Sequence, residues 1–317
     1  MVREGRPAVR PAPGDVPLAD GRGSPLINTA VELETIARRG RWLVISTVAG
    51  SGGGHVGGPL SAMDMLVALF FRVLRIRPED PGWPDRDRFI LSKGHSSVGL
   101  YAVMAMRGYL PVEELKTFDK GDSRLQGHPD MTRLPGLDAS TGSLGQGLAV
   151  GVGIALGARM RGRGFHTFVM LGDGECQEGM VWESVNVAAR YGLGNLTAIV
   201  DQNGLQQYGW PLPDGEAHPG DRADPWPGTR LGAVFEACGW RTIEIDGHDF
   251  AAIVAACEGA RAAASAGRPT AILARTVKGR GLSFTEGRHH WHARVATADE
   301  VAQARLELGI DERGEPR

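Results

Sequence analysis

Thr167-Phe168-Val169-Met170-Leu171-Gly172-Asp173-Gly174 and Leu196-Thr197-Ala198-Ile199-Val200-Asp201-Gln202-Asn203-Gly204 carry one pattern twice: a short apolar run, then a polar turn. With a helical stretch between them, the runs predict neighbouring parallel strands whose C-terminal ends set the carboxylate of Asp173 beside the amide of Asn203. Such oxygens suit a hard divalent cation. Mg²⁺ takes few protein ligands and fills its octahedron with phosphate oxygens and water, and glycines on both sides of Asp173 let the backbone approach a phosphate closely. The pair points to a metal-bound diphosphate.

Outward from this pair the same alternation continues. Arg88-Phe89-Ile90-Leu91, Arg241-Thr242-Ile243-Glu244-Ile245 and Thr270-Ala271-Ile272-Leu273-Ala274 read as further strands. Helical patterns run from Leu26 to a glycine-rich bend at Gly50-Ser51-Gly52-Gly53-Gly54-His55, from Pro59 through Phe71, over Ser96 to Met106, and over the alanine-rich Phe250 to Ala264. Alternating elements of this kind predict an α/β fold in three α/β/α layers around a mainly parallel sheet. Leu144 to Met160 is too short to span a bilayer, which needs ~20 residues, and it contains Gln146. It reads as a buried helix whose Gly147 and Gly151 permit close packing. Residues 1–24, with arginines among Pro, Gly and Ala and no hydrophobic period, read as a mobile tail. One domain, 25–317, follows, and its segment 210–229, rich in Pro, Gly and Asp, reads as a long surface loop.

A net charge of -2 and a pI near 6.5 disfavour nucleic acid and anionic membranes as partners, so a small-molecule substrate is expected. The three cysteines are odd in number and lack metal-ligand spacing, and the N-terminus lacks the apolar core of a signal peptide; a cytoplasmic location is expected. Cys176 has no cation near it in sequence and reads as a packing residue. His55, His95, His128 and His292 each sit in a turn flanked by glycine, proline or an aromatic residue. Imidazoles titrate near neutrality, so a group of them around a diphosphate could hydrogen-bond phosphate and hydroxyl oxygens and move protons. Zinc is disfavoured, because His290-Trp291-His292 stands without a helical His pair or a Cys-x-x-Cys.

Four longer segments, Leu91-Ser92-Lys93-Gly94-His95-Ser96-Ser97, Leu125-Gln126-Gly127-His128-Pro129-Asp130, Ser140-Thr141-Gly142-Ser143-Leu144-Gly145-Gln146-Gly147 and Gly172-Asp173-Gly174-Glu175-Cys176-Gln177-Glu178-Gly179, closely resemble the N-terminal half of transketolase. The resemblance runs from about Ile27 to Leu308, and it is strongest to split transketolases, whose diphosphate-binding part is a separate polypeptide. It implies thiamine diphosphate and Mg²⁺ as cofactors, with Ca²⁺ or Mn²⁺ as substitutes. Asp173, Asn203 and the carbonyl of Leu205 would bind the metal, with Gly172 and Gly174 close to the diphosphate. His95 and His292 would contact the diphosphate or adjacent sugar hydroxyls, and Gly142 and Leu144 would line the thiazolium side. His55 and His128 would bind the donor ketose, with His55 and His292 suited to proton transfer. His289 and His290 are rivals to His292, which best matches the family's pattern. Lys278 is a candidate phosphate contact or a solvated loop lysine. Glu178 and Glu183 would lie at the subunit interface and link two active sites; alternatively they are surface acids complementing a helix dipole.

The resemblance also implies what another chain must bring: a pyrimidine-binding domain with the glutamate that activates the cofactor. The chain is thus expected to act only with such a partner, two copies of each forming a heterotetramer, and to transfer a two-carbon glycolaldehyde unit from a ketose or ketose phosphate to an aldehyde. Gly52-Gly53-Gly54-His55-Val56-Gly57 departs from the family's usual Ser-Gly-His-Pro-Gly, and the irregular Pro-rich segment suggests an altered acceptor, including a carrier-bound aldehyde. The alternatives are a subunit resembling 1-deoxyxylulose-phosphate synthase or a 2-oxo acid dehydrogenase, which would consume pyruvate, and a non-catalytic partner-binding subunit.

Overall fold

The computed structural model describes residues 29–207 and 230–317; the expected tail 1–24 and the loop 210–229 lie outside them. Five parallel strands, β1 Arg88–Leu91, β2 Thr167–Gly172, β3 Leu196–Gln202, β4 Arg241–Asp246 and β5 Thr270–Arg275, form one sheet in the order β1-β2-β3-β5-β4. The inner strands β2, β3 and β5 are buried on both faces, which is why their sequences read as continuous apolar runs, whereas the edge strand β4 stays half exposed.

Eight α-helices cover the sheet among the described residues: α1 Ala30–Ser51, α2 Gly57–Ala68, α3 Ser97–Arg107, α4 Gln146–Met160, α5 Gly179–Arg190, α6 Leu231–Ala237, α7 Phe250–Ala262 and α8 Ala298–Glu307. Side chains alternate along β2. Phe168 and Met170 join the core under α1, α2, α3 and α7, while Val169 and Leu171 join a second core under α4, α5 and α6. The three-layer architecture expected from the alternation is therefore the one observed.

Several boundaries move for physical reasons. The first helix starts at Ala30 rather than Leu26, because Thr29 accepts from the Glu32 N–H while Glu32 reaches back to the Thr29 N–H in a capping box. The second begins at Gly57, with Pro59 inside its first turn, and passes into a wider π-helical turn over Leu69–Val73. The third reaches Arg107, and the seventh ends at Ala262 in a 3₁₀ turn. Helix α4 is buried on one face only. A Cβ on Gly147 would come within 2.4 Å of Ser92 Oγ and one on Gly151 within 2.4 Å of Val169 Cγ2, so these glycines do permit the close approach. On its other side Val150 and Met160 are 40% and 79% exposed.

The lower end of the sheet is tied by charge. Asp87, fully buried, accepts from Arg75 and from Arg261, at 2.7 Å for the latter, and from the His166 N–H at 2.9 Å. His166 bonds Thr197 Oγ1 through Nε2 at 2.8 Å. The loops after β1, β2, β3 and β5 leave from the opposite, C-terminal ends, and the loop between α1 and α2 meets them there through the Val56 N–H and the His292 carbonyl.

Candidate active site

Register brings Gly172 opposite Asp201, so Asp173 and Asn203 leave adjacent strands as expected. Asp173 is buried and accepts two backbone N–H groups, Gly174 at 2.8 Å and Gly204 at 2.6 Å. Burial, and then the like charge of Asp201, pushes its carboxyl up to about 6, a cost that a bound dication would offset. Asn203 Oδ1 accepts from the Leu205 N–H at 3.1 Å, and its Nδ2 donates to Asp201. Lys278 Nζ donates to the carbonyls of Gln206, at 2.5 Å, and Leu205, at 3.3 Å, and to His292 Nδ1 at 3.0 Å, which leaves the His292 ring proton on Nε2. Burial, and then the charge of Lys93, brings the Lys278 ammonium down to about 8.

These groups surround a cavity of about 260 Å³. Of the residues named from sequence, His95, Leu144, Gly172, Asp173, Gly174, Glu178, Asn203, Leu205, Lys278 and His292 line it. The lining fits a metal-bound diphosphate on three counts. Asp173, Asn203 and the Leu205 carbonyl offer oxygens; among the described residues, buried Gln206 Nε2, a donor on the wall, has no partner, and a Cβ on Gly172 would meet no atom nearer than 3.8 Å, leaving that backbone open to the cavity.

Four imidazoles gather on one side. The His55 ring centroid lies 5.1 Å from that of His95, 5.1 Å from that of His292 and 6.2 Å from that of His128, and His95 and His292 are 5.0 Å apart. Burial, with Lys278 next, brings His292 down to about 3; burial, with Lys93 next, holds His95 well below the usual imidazole range, and burial, with His128 next, lowers His55. These three rings are neutral at pH 7, each with one donor and one acceptor nitrogen for hydroxyl groups. His128, exposed beyond His55 and not among the residues lining the cavity, packs against Gly142, where a Cβ would meet its ring at 3.0 Å. His289 and His290 pair with each other instead, 5.9 Å apart, and His290 is exposed. Glu178 caps α5 at the cavity rim, whereas Glu183 is exposed one turn further along that helix. Cys176 is buried, and burial raises its thiol, in keeping with a packing role.

Sequence reasoning missed three buried charges at the cavity, Glu175 and Lys93 in its lining and Asp201 behind them. Glu175 accepts from Ser92 Oγ at 2.5 Å and from the N–H groups of Gly145 at 2.9 Å and Gly172 at 3.0 Å, locking the loop after β2 to that before α4. Lys93, 2% exposed, pairs with Asp201, which is fully buried. Their signal was position: Lys93 and Asp201 fall where a parallel strand ends, and Glu175 follows the Gly-Asp-Gly turn directly. Asp201 and Gln202, read from sequence as turn residues, belong to β3.

A parallel α/β sheet whose strand ends frame an oxygen-lined, lysine-edged cavity defines a domain for a metal-bound diphosphate cofactor. Residues 33–315 match the thiamine diphosphate binding domain of transketolase, and the chain belongs to the transketolase family as its N-terminal domain. It is 39% identical over 278 residues to the 6-deoxy-6-sulfo-D-fructose transketolase subunit SqwG of Clostridium sp. (strain MSTE9), with 88% of this chain and 96% of that protein covered. It is also 39% identical to an apulose-4-phosphate transketolase subunit of Actinobacillus succinogenes, covering 87% of this chain and 96% of that protein. Among solved structures, the transketolase of Campylobacter jejuni superimposes with a TM-score of 0.80 at 30% identity, over 90% of this chain and 44% of the other. Both subunit-type relatives thus match this chain almost end to end, which supports a split arrangement.

Proposed function

We propose that this chain is the diphosphate- and metal-binding subunit of a two-component transketolase. Asp173, Asn203 and the Leu205 carbonyl hold Mg²⁺, while Gly172, Gly174, Lys278 and His95 receive the diphosphate and Gly142 and Leu144 border the thiazolium. When bound, thiamine diphosphate supplies the carbanion-stabilising centre through which a two-carbon unit passes from a ketose to an aldehyde. The chain's own part is to bind and orient. Three neutral imidazoles with ring centroids 5.0 to 5.1 Å apart suit a polyhydroxylated chain, and the single observation carrying the reading is that two of them, His95 and His292, line the same cavity as Asp173 and Asn203, with His55 packed against both. His55 and His128 grip the donor ketose; His55 and His292 hold or move protons at its hydroxyls.

The partner brings the pyrimidine-side glutamate and the groups for the far end of the sugar. The names of the two relatives, one for a sulfosugar and one for a sugar phosphate, favour a ketose that is anionic at that end. Two copies of each chain in a heterotetramer are favoured by the outer faces of α4 and α5, where Val150, Met160, Met180, Val187 and Tyr191 are all exposed apolar side chains. The three cysteines are unpaired and no helix among the described residues is long and apolar enough to cross a membrane; we place the protein in the cytoplasm.

The test is reconstitution with the partner chain, thiamine diphosphate and Mg²⁺. Transfer of glycolaldehyde units from a ketose to an aldehyde, lost in Asp173→Ala, is expected. Consumption of pyruvate in place of a ketose would reassign the reaction, and full activity in Asp173→Ala would displace the metal.

A further inference from the structure

We propose that Asp201 is a positioning residue for the metal, acting through the amide of Asn203; the inference rests on the metal placement proposed above. Asp201 does not itself line the cavity but bonds two residues that do, Lys93 and Asn203. Its Oδ2 accepts from Ser61 Oγ at 2.6 Å, from Lys93 Nζ and from Asn203 Nδ2 at 3.3 Å, and its Oδ1 accepts from Thr276 Oγ1. Lys93 also donates to the carbonyl of Gly58 at 3.2 Å. One carboxylate therefore ties together the starts or ends of α2, β1, β3 and β5, and every partner is a donor.

This fixes which way Asn203 faces. An amide can turn either its oxygen or its nitrogen toward a cation, and only the oxygen can coordinate one. With Asp201 accepting from Nδ2 on the inner side, Oδ1 is left for the Leu205 N–H and the cavity. The same contact explains an amide where a carboxylate would coordinate a cation more strongly: a second carboxylate at 203 would face Asp201 oxygen to oxygen. Lys93 sets its buried ammonium against the same carboxylate as a counter-charge. Outer ligands of this kind commonly alter metal affinity by about 10- to 100-fold.

The test measures Mn²⁺ uptake by the full chain in the presence of thiamine diphosphate, from the electron paramagnetic resonance signal of free Mn²⁺, with no activity assay. Asp201→Asn should weaken Mn²⁺ binding by about 10- to 100-fold. Asn203→Asp, at a half-buried position, should do the same and serves if Asp201→Asn does not fold. The exchange variant Asp201→Asn with Asn203→Asp restores one donor facing one acceptor and should recover most of the loss. Val185→Ala, in the opposite core, controls for lowered stability and should bind as wild type. Wild-type affinity in Asp201→Asn, or a loss that the exchange variant leaves unrepaired, would overturn the positioning role alone. A wild-type chain that takes up no Mn²⁺ would overturn it together with the metal placement.

Discussion

The backbone N–H of Val56 donates to the carbonyl of His292 at 3.1 Å, fastening the loop that carries His55 to the turn that carries His292. The two rings meet edge to face, 89° apart in plane, so a proton or hydroxyl held by one lies within reach of the other.

Single replacements His55→Ala and His292→Ala should each lower kcat/KM for two-carbon transfer by about 100-fold, in the range of a lost general acid or base. Because the residues share one site, the double variant should fall short of the product of the two losses by about tenfold or more. Steady-state kinetics of the reconstituted enzyme would check this, and strict multiplicativity would mean that the rings act on separate steps.

His166 governs acid stability at the other end of the sheet. Burial, then the charge of Arg261, brings its folded value down to about 3, against 6.5 in the unfolded chain. Between those values the unfolded chain binds a proton that the folded chain refuses, so this contribution is complete above 6.5 and is lost as pH falls toward 3. In urea titrations, His166→Gln should flatten the decline of unfolding free energy by about 1.4 kcal/mol per pH unit between about pH 4 and 5.5.

Gly147→Ala should destabilise the chain by about 1 to 3 kcal/mol, since its new Cβ would press on Ser92, including the Cα at 2.7 Å. Gly157→Ala, where nothing lies within 4 Å, should instead add about 0.5 to 1 kcal/mol through helix propensity. Both are read from thermal or denaturant unfolding of the isolated chain.

A pair of charges on the outer helices tests assembly. Val150→Asp with Val187→Asp should leave folding intact, because both positions are exposed, yet convert the heterotetramer proposed above to a species of half its mass in sedimentation. An unchanged mass would place the junction elsewhere.

The strands were legible because β-branched runs bounded by polar turns leave few alternatives, and the Asp173 and Asn203 pair followed from them by geometry. The four imidazoles stood out by the turns that carry them, but their separate roles came by resemblance, since residues as distant in sequence as His55 and His292 carry no local signal of contact. Asp201 was misplaced because a polar residue after an apolar run reads as turn, and only Lys93, Ser61 and Thr276, from three other elements, make it affordable within β3. In α4 the glycine- and alanine-rich composition hid the face. An apolar residue on every side implies burial all round, although Val150 and Met160 lie outside.

Helix α5 has one end in each of two places. Its N-cap residue Glu178 borders the cavity, and Val187, about two and a half turns on, and Tyr191, at the helix's far end, are exposed on the outer face. A ligand that shifts the cap and a neighbour that covers the face act on one stiff rod. Thermodynamic reciprocity then requires that any factor by which cofactor strengthens assembly be returned undiminished as the factor by which assembly strengthens cofactor.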